Sequence, residues 1–304
     1  MKRSLSLLVT LLMVGLGYSG LFAQNYVIKE RNISFQQDEL MTLLGDNFNG
    51  NPEGEAMARL LIKMPLSEML LKLKNEYQLP EMRETTIYVA GKNLRVDEEE
   101  EGAKTSQFIL GDKEAVYHVM WDKKQYIEMT YEDMKKIQKQ ASAMAEGMMK
   151  NMPPEIQAQI EAQMGQAKKE KKESKITKTG NKQTINGFPC DEYLVENASE
   201  LRQFWVTGKF PELRKSMENM FELLSGFGPP EAGDDDMEIW EKIPGSWPVL
   251  TKDVNYNNMY MSISMDVDET ISVESKNISA DMFIVPANFK KVTMMEMMQG
   301  GMDY

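Results

Sequence analysis

Few residues in this chain have the chemistry for catalysis. His118 is the only histidine and Cys190 the only cysteine, so a nucleophile and base dyad would have to come from that pair. His118 stands in the apolar run Val116-Tyr117-His118-Val119-Met120, the setting of a structural imidazole rather than a general base. Cys190 follows Gly187-Phe188-Pro189 and reads as a small buried hydrophobe. Carboxylates are abundant, with runs at Glu98 to Glu101 and Asp234 to Asp236. Neither has the spacing and glycine of a calcium loop, and such runs are ordinarily solvated. A Gly-x-Gly-x-x-Gly match at Gly15, Gly17 and Gly20 lies in an apolar leader with no strand before it, and is no dinucleotide site. Phosphate-loop, nucleophile-elbow and zinc-ligand spacings are absent, so the expectation is a non-enzymatic protein without a cofactor.

Methionine is the compositional anomaly, at 27 residues. Met144, Met148, Met149 and Met152 form one cluster, and Met294, Met295, Met297, Met298 and Met302 another. Thioethers are soft ligands suited to Cu(I), which makes a copper-binding envelope protein one alternative function. The central cluster shares helix-spaced stripes with Ile and Ala, which favours packing or an adaptable apolar surface.

The amino terminus sets the compartment. Lys2-Arg3, the apolar stretch from Leu5 to Leu16 and the small-residue end before Gln24 have the layout of a secretory signal, residues 1–23, cut after Ala23. No later apolar run is long enough for a transmembrane anchor, and the position of Cys190 rules out a lipidated amino-terminal cysteine. Loss of Lys2 and Arg3 takes the net charge from -12 to -14, a surface that repels nucleic acid. The expected location is periplasmic or secreted. Residues 24–304 are expected to form a single domain, held by a packed core because one cysteine makes no internal disulfide.

Residues 26–35 read as a strand, 38–77 as helices broken at Asn47 to Pro52 and reopened at Pro65, and 85–98, 105–110, 115–121 and 125–129 as a meander. Thr130 with Asp133 signals a helix start, and two helices broken at Pro153-Pro154 predict an inserted hairpin over 131–172. Strands resume over 175–179, 183–185, 192–196 and 202–207, and a helix opens at Pro211. Three strands, 249–256, 259–267 and 270–276, follow. In the second, Met259, Met261, Ile263, Met265 and Val267 alternate with Tyr260, Ser262, Ser264, Asp266 and Asp268, one face buried and one wet.

Ile185-Asn186-Gly187-Phe188-Pro189-Cys190-Asp191-Glu192-Tyr193, Thr179-Gly180, Trp205-Val206-Thr207, the segment Tyr88 to Val96 and Phe283-Ile284-Val285-Pro286 carry a family pattern. Over residues 25–295 the chain resembles a family of secreted bacterial domains of unknown function, common in Bacteroidetes, whose architecture is similar to the lipoprotein carriers LolA and LolB. The resemblance implies an α+β half-barrel, a curved antiparallel sheet with helices covering the concave face, and a cavity for acyl chains or another apolar ligand. The expected lining is Met259, Met261, Ile263 and Met265 facing Leu213, Met217, Met220 and Phe221. The expected partners are a lipid-like ligand or the apolar part of an envelope protein, with a module that binds only protein as a further alternative.

Overall fold

The computed structural model describes residues 25–45, 54–100, 102–153, 156, 174–225, 239, 241–245, 247–257, 262–293 and 296. The strands are β1 (Tyr26–Phe35), β2 (Glu81–Ala90), β3 (Asn93–Glu100), β4 (Ala103–Leu110), β5 (Ala115–Met120), β6 (Gln125–Thr130), β7 (Lys175–Ile185), β8 (Phe188–Glu196), β9 (Glu200–Thr207), β10 (Trp247–Asn257), β11 (Ser262–Ser275) and β12 (Lys290–Lys291). The helices are α1 (Gln37–Leu44), α2 (Gly54–Lys63), α3 (Leu66–Asn75), α4 (Tyr131–Asn151) and α5 (Pro211–Ser225), with a 3-10 turn at Ala280–Phe283.

All twelve strands join one curved open sheet in the order β12-β6-β5-β4-β3-β2-β1-β11-β10-β9-β8-β7. From β1, the strands β2 to β6 step outward on one side, while β7 to β11 step inward from the far edge until β11 pairs with β1. Every pairing is antiparallel except the short β12 on β6. The architecture is the expected α+β one, built on a curved antiparallel sheet.

Helices pack on both faces, and β1 shows why. Its register with β2 is unbroken, so alternate residues point to opposite sides. Ile33 and Phe35 join Leu40, Leu43, Leu61 and Leu73 of α1 to α3 in the largest core cluster. Tyr26 and Ile28 join Leu213 in a second cluster, with Met217 and Phe210 packed against it. A third cluster, Phe108, Leu110, Tyr117 and Val119, is covered by Phe283 and its neighbours.

Several strand boundaries differ from expectation, and the runs 175–179 and 183–185 are one strand, β7. The run 85–98 is two strands, because Gly91 takes a φ of 60° and turns the chain between β2 and β3. Conversely, 259–267 and 270–276 are not separate: β11 is continuous from Ser262 to Ser275, and the extra residue Ile271 is taken up as a bulge against Lys29 and Glu30. Asp268 and Glu269, which fall between those two expected strands, lie within the ladder.

The start of α4 is as expected: the Thr130 hydroxyl accepts from Asp133 N at 3.1 Å, and the Asp133 carboxylate accepts from Thr130 in return. Of its apolar stripe, however, three described members face solvent: Met144 is 70% and Met148 58% exposed, and Ile137 is exposed as well. Among the described residues the helix touches the sheet chiefly at β6. Apart from Ile156, the second arm of the hairpin, like the signal segment, lies outside the described residues. Among the described residues no helix is long and apolar enough to cross a membrane.

Candidate functional site

Among the described residues, the expected lining side chains Ile263, Met265, Leu213 and Met217 fall in two different core clusters. Ile263 and Met265 are buried under α1 and α2 in the largest cluster. Leu213 is buried in the second cluster, with Met217 half-buried against it. The β1 alternation puts these clusters on opposite faces of the sheet, so the strand meets α1 and α2 rather than the expected α5. Met259 and Met261 lie outside the described residues, and Met220 and Phe221 are described only as part of α5. The alternation itself is as read: Ile263, Met265 and Val267 are buried, and Ser262, Ser264, Asp266 and Asp268 are exposed.

A cleft of about 370 Å³ opens on the same face as Ile263, where the α2–α3 corner bridges the sheet. That volume lies within the range of about 300–1,000 Å³ typical of small-molecule sites. Its roof is Ile62 to Ser67 with Leu70, and its floor includes Gln183, Ile185, Gln203, Trp205, Leu250, Lys252, Glu269 and Arg31. The floor is a grid fixed by register. Gln203 stands opposite Lys252, and one rung along, Trp205 stands opposite Leu250, Leu250 opposite Glu269, and Glu269 opposite Arg31. Pro65 starts α3 by accepting from Glu68 N at 3.0 Å and so makes the corner. The β7–β8 turn closes one side. Asn186 and Gly187, both at positive φ, form the tight connection, and Asn186 Nδ2 donates to Glu269 Oε1 at 3.1 Å and to the Thr270 carbonyl at 2.9 Å.

The floor sets Ile185, Trp205 and Leu250 among polar and charged residues, several with defined electrostatics. Lys252 is only 3% exposed, and its Nζ donates to the carbonyls of Ile62, at 3.0 Å, and Met64, at 2.5 Å. A cation there caps the carboxyl end of α2. Burial pushes its ammonium down to about 8, with the nearby Glu192 charge opposing. Glu192 is itself buried and accepts from Thr179 Oγ1 and Asn181 Nδ2, each at 2.6 Å, and from Gln203 Nε2. Arg31 pairs with Glu269 at 3.2 Å. Among the described residues, two buried atoms of the floor have no hydrogen-bond partner, Gln203 Oε1 and Arg31 Nε.

The other chemistry-bearing residues are apart. His118 on β5 and Cys190 on β8 are eight steps distant in the strand order, so they make no dyad. Cys190 is buried with its thiol pushed up to about 11 by burial, far from thiolate reactivity at neutral pH. Glu98, Glu99 and Glu100 are exposed, and Asp234 to Asp236 lie outside the described residues. Among the described residues no group of three His, Cys, Asp or Glu side chains is placed to hold a metal. On the second face, Asn32 donates to Asp268 and Ser34 to Asp266, both at 2.7 Å, beside an Arg202–Asp253 ion pair at 3.0 Å.

Sequence reading missed the cleft because its residues come from six separate stretches. One signal was present: Leu201-x-Gln203-x-Trp205 and Leu250-x-Lys252-x-Val254 each place a polar residue at an inward position between apolar ones, which demands an internal partner.

Residues 150–289 match a family described as a domain of unknown function, DUF4412. That span includes the cleft floor from Gln183 to Glu269 but neither Arg31 nor the α2–α3 roof. No curated protein gives a significant match to the chain. Among solved structures, PNGF-II is 10% identical with a TM-score of 0.36 over 91% of this chain, which spans 32% of that protein's length. An uncharacterized conserved protein from Thermus thermophilus is 5% identical at a TM-score of 0.38, covering 89% of this chain and 91% of its own. An outer membrane lipoprotein-sorting protein domain from Vibrio parahaemolyticus is 7% identical at 0.18, covering 86% and 89%. All three likenesses are distant.

Proposed function

We propose that the chain is an exported, non-enzymatic binding protein that holds the apolar part of a lipid-like ligand in the cleft beneath the α2–α3 corner. The observation that supports this most directly is the lining. Ile62, Met64, Leu66, Leu70, Ile185, Trp205 and Leu250 surround one space together with polar and charged side chains, apolar surface and orienting polar groups both being features of small-molecule sites. Export rests on the leader, with mature protein in the periplasm or medium of its host. Native mass spectrometry of protein purified from its own envelope tests the reading. Acyl-sized added mass, lost on mild delipidation, is expected, and bare polypeptide mass in every preparation would contradict it.

A second reading has one observation in its favour. Met144 and Met148 are exposed one helical turn apart on α4, where two thioethers can meet one soft ion. Two ligands make a weak site, so the lipid-like reading is preferred. Titration with Cu(I) under reducing conditions should find no stoichiometric tight site, and a tight one lost in Met144→Leu with Met148→Leu would favour copper instead.

A further inference from the structure

Gln203 and Lys252 are direct cross-strand partners on the cleft floor, 6% and 3% exposed, so their side chains rise side by side, with Cβ atoms about 5 Å apart. Each is held on one side only. The Gln203 amide is locked because Nε2 donates to Glu192, whose other oxygen is committed to Thr179 and Asn181, and this turns Oε1 away as an acceptor with nothing to accept. An ammonium has three N–H bonds. Lys252 gives two to the Ile62 and Met64 carbonyls, and among the described residues no acceptor takes the third. The pair therefore offers one unmet acceptor beside one unmet donor.

Resting on the cleft reading above, we infer that this pair recognises an uncharged carboxamide on the ligand, its N–H donating to Gln203 Oε1 and its carbonyl accepting from Lys252 Nζ. An ester lacks the donor and leaves Oε1 unmet. A carboxylate satisfies Lys252 but sets a second acceptor against Oε1, and an amine satisfies Oε1 but sets a cation against Lys252. Of the charged groups on the floor, Glu269 pairs with Arg31, and Glu192 lies near enough to Lys252 to raise its proton affinity. A buried site built to hydrogen-bond one group rejects analogues that leave its own polar atoms unpaired.

The test is displacement of a fluorescent fatty-acyl probe from the full mature protein by octanamide, methyl octanoate and octanoate. Octanamide is expected to compete about tenfold or more better than either analogue, and Gln203→Met to remove that advantage while leaving the ester unchanged. Equal competition by amide and ester in the wild type would overturn the head-group inference and leave the cleft reading standing. Failure of the wild type to bind the probe at all would overturn both. Should Gln203→Met not fold, the wild-type ranking alone decides.

Discussion

Trp205 on β9 and Leu250 on β10 stand opposite one another in the sheet and together form the apolar centre of the cleft floor, between the Gln203–Lys252 rung and the Glu269–Arg31 pair. The extra residue Val249 on β10 is taken up as a bulge between Pro248 and Leu250, next to this rung.

The alternation of β11 is tested by paired substitutions. Ile263 is buried opposite Tyr256, and Ser262 is exposed. Ile263→Asp places an unpaired carboxylate in the core and should cost about 3 kcal/mol or more, while Ser262→Asp should stay within about 0.5 kcal/mol. Thermal unfolding compares them, and equal shifts would mean that the faces are wrongly assigned.

The buried lysine predicts an alkaline effect. With Lys252 near 8 in the folded protein and 10.5 unfolded, the native state binds fewer protons between those values, so stability rises with pH across that window. Relative to Lys252→Met, the wild type should gain up to about 3 kcal/mol between pH 7.5 and 10.5. Denaturant titrations at both pH values measure it, and a flat difference would show that the ammonium is solvated.

Carboxylates predict the opposite slope at lower pH. Glu30 is pushed up to about 7 by burial, with the Asp268 charge adding and the Thr270 hydrogen bond opposing. Asp253 is pushed up chiefly by burial, against the Arg202 charge. Folded values above the unfolded ones stabilise below about pH 4.5, and that contribution is lost as pH rises through about 7. Glu30→Gln should flatten the decline in melting temperature between pH 5 and 8, and an unchanged slope would exclude Glu30 as its source.

The parts of the fold legible in the sequence were those set by local periodicity or local caps. The Ile263, Met265 and Val267 alternation, the Thr130–Asp133 cap and the Pro211 helix start each depend on residues within one turn or strand. What covers a buried face is not local. Period two shows that Ile263 points inward, but whether α1, α2 or α5 meets it depends on β11 pairing with β1, whose partner residues are over 230 positions away. The same holds for the site. Arg31, Leu70, Gln203 and Lys252 meet only because two meanders converge on β1, and only the inward polar parity of Gln203 and Lys252 marked them in advance.

The central claim is that the space beneath the α2–α3 corner is a ligand site. Leu70 lines that space from α3 and is only half-buried, so Leu70→Trp would fill the cleft without disturbing the core below it. The decisive measurement is the affinity of a fluorescent acyl probe for wild type and Leu70→Trp, alongside their melting temperatures. Saturable one-to-one binding by the wild type, weakened about tenfold or more in a variant that melts within about 2 °C of it, is the expected result. Equal affinity in the two proteins, or no saturable binding by the wild type, would contradict it.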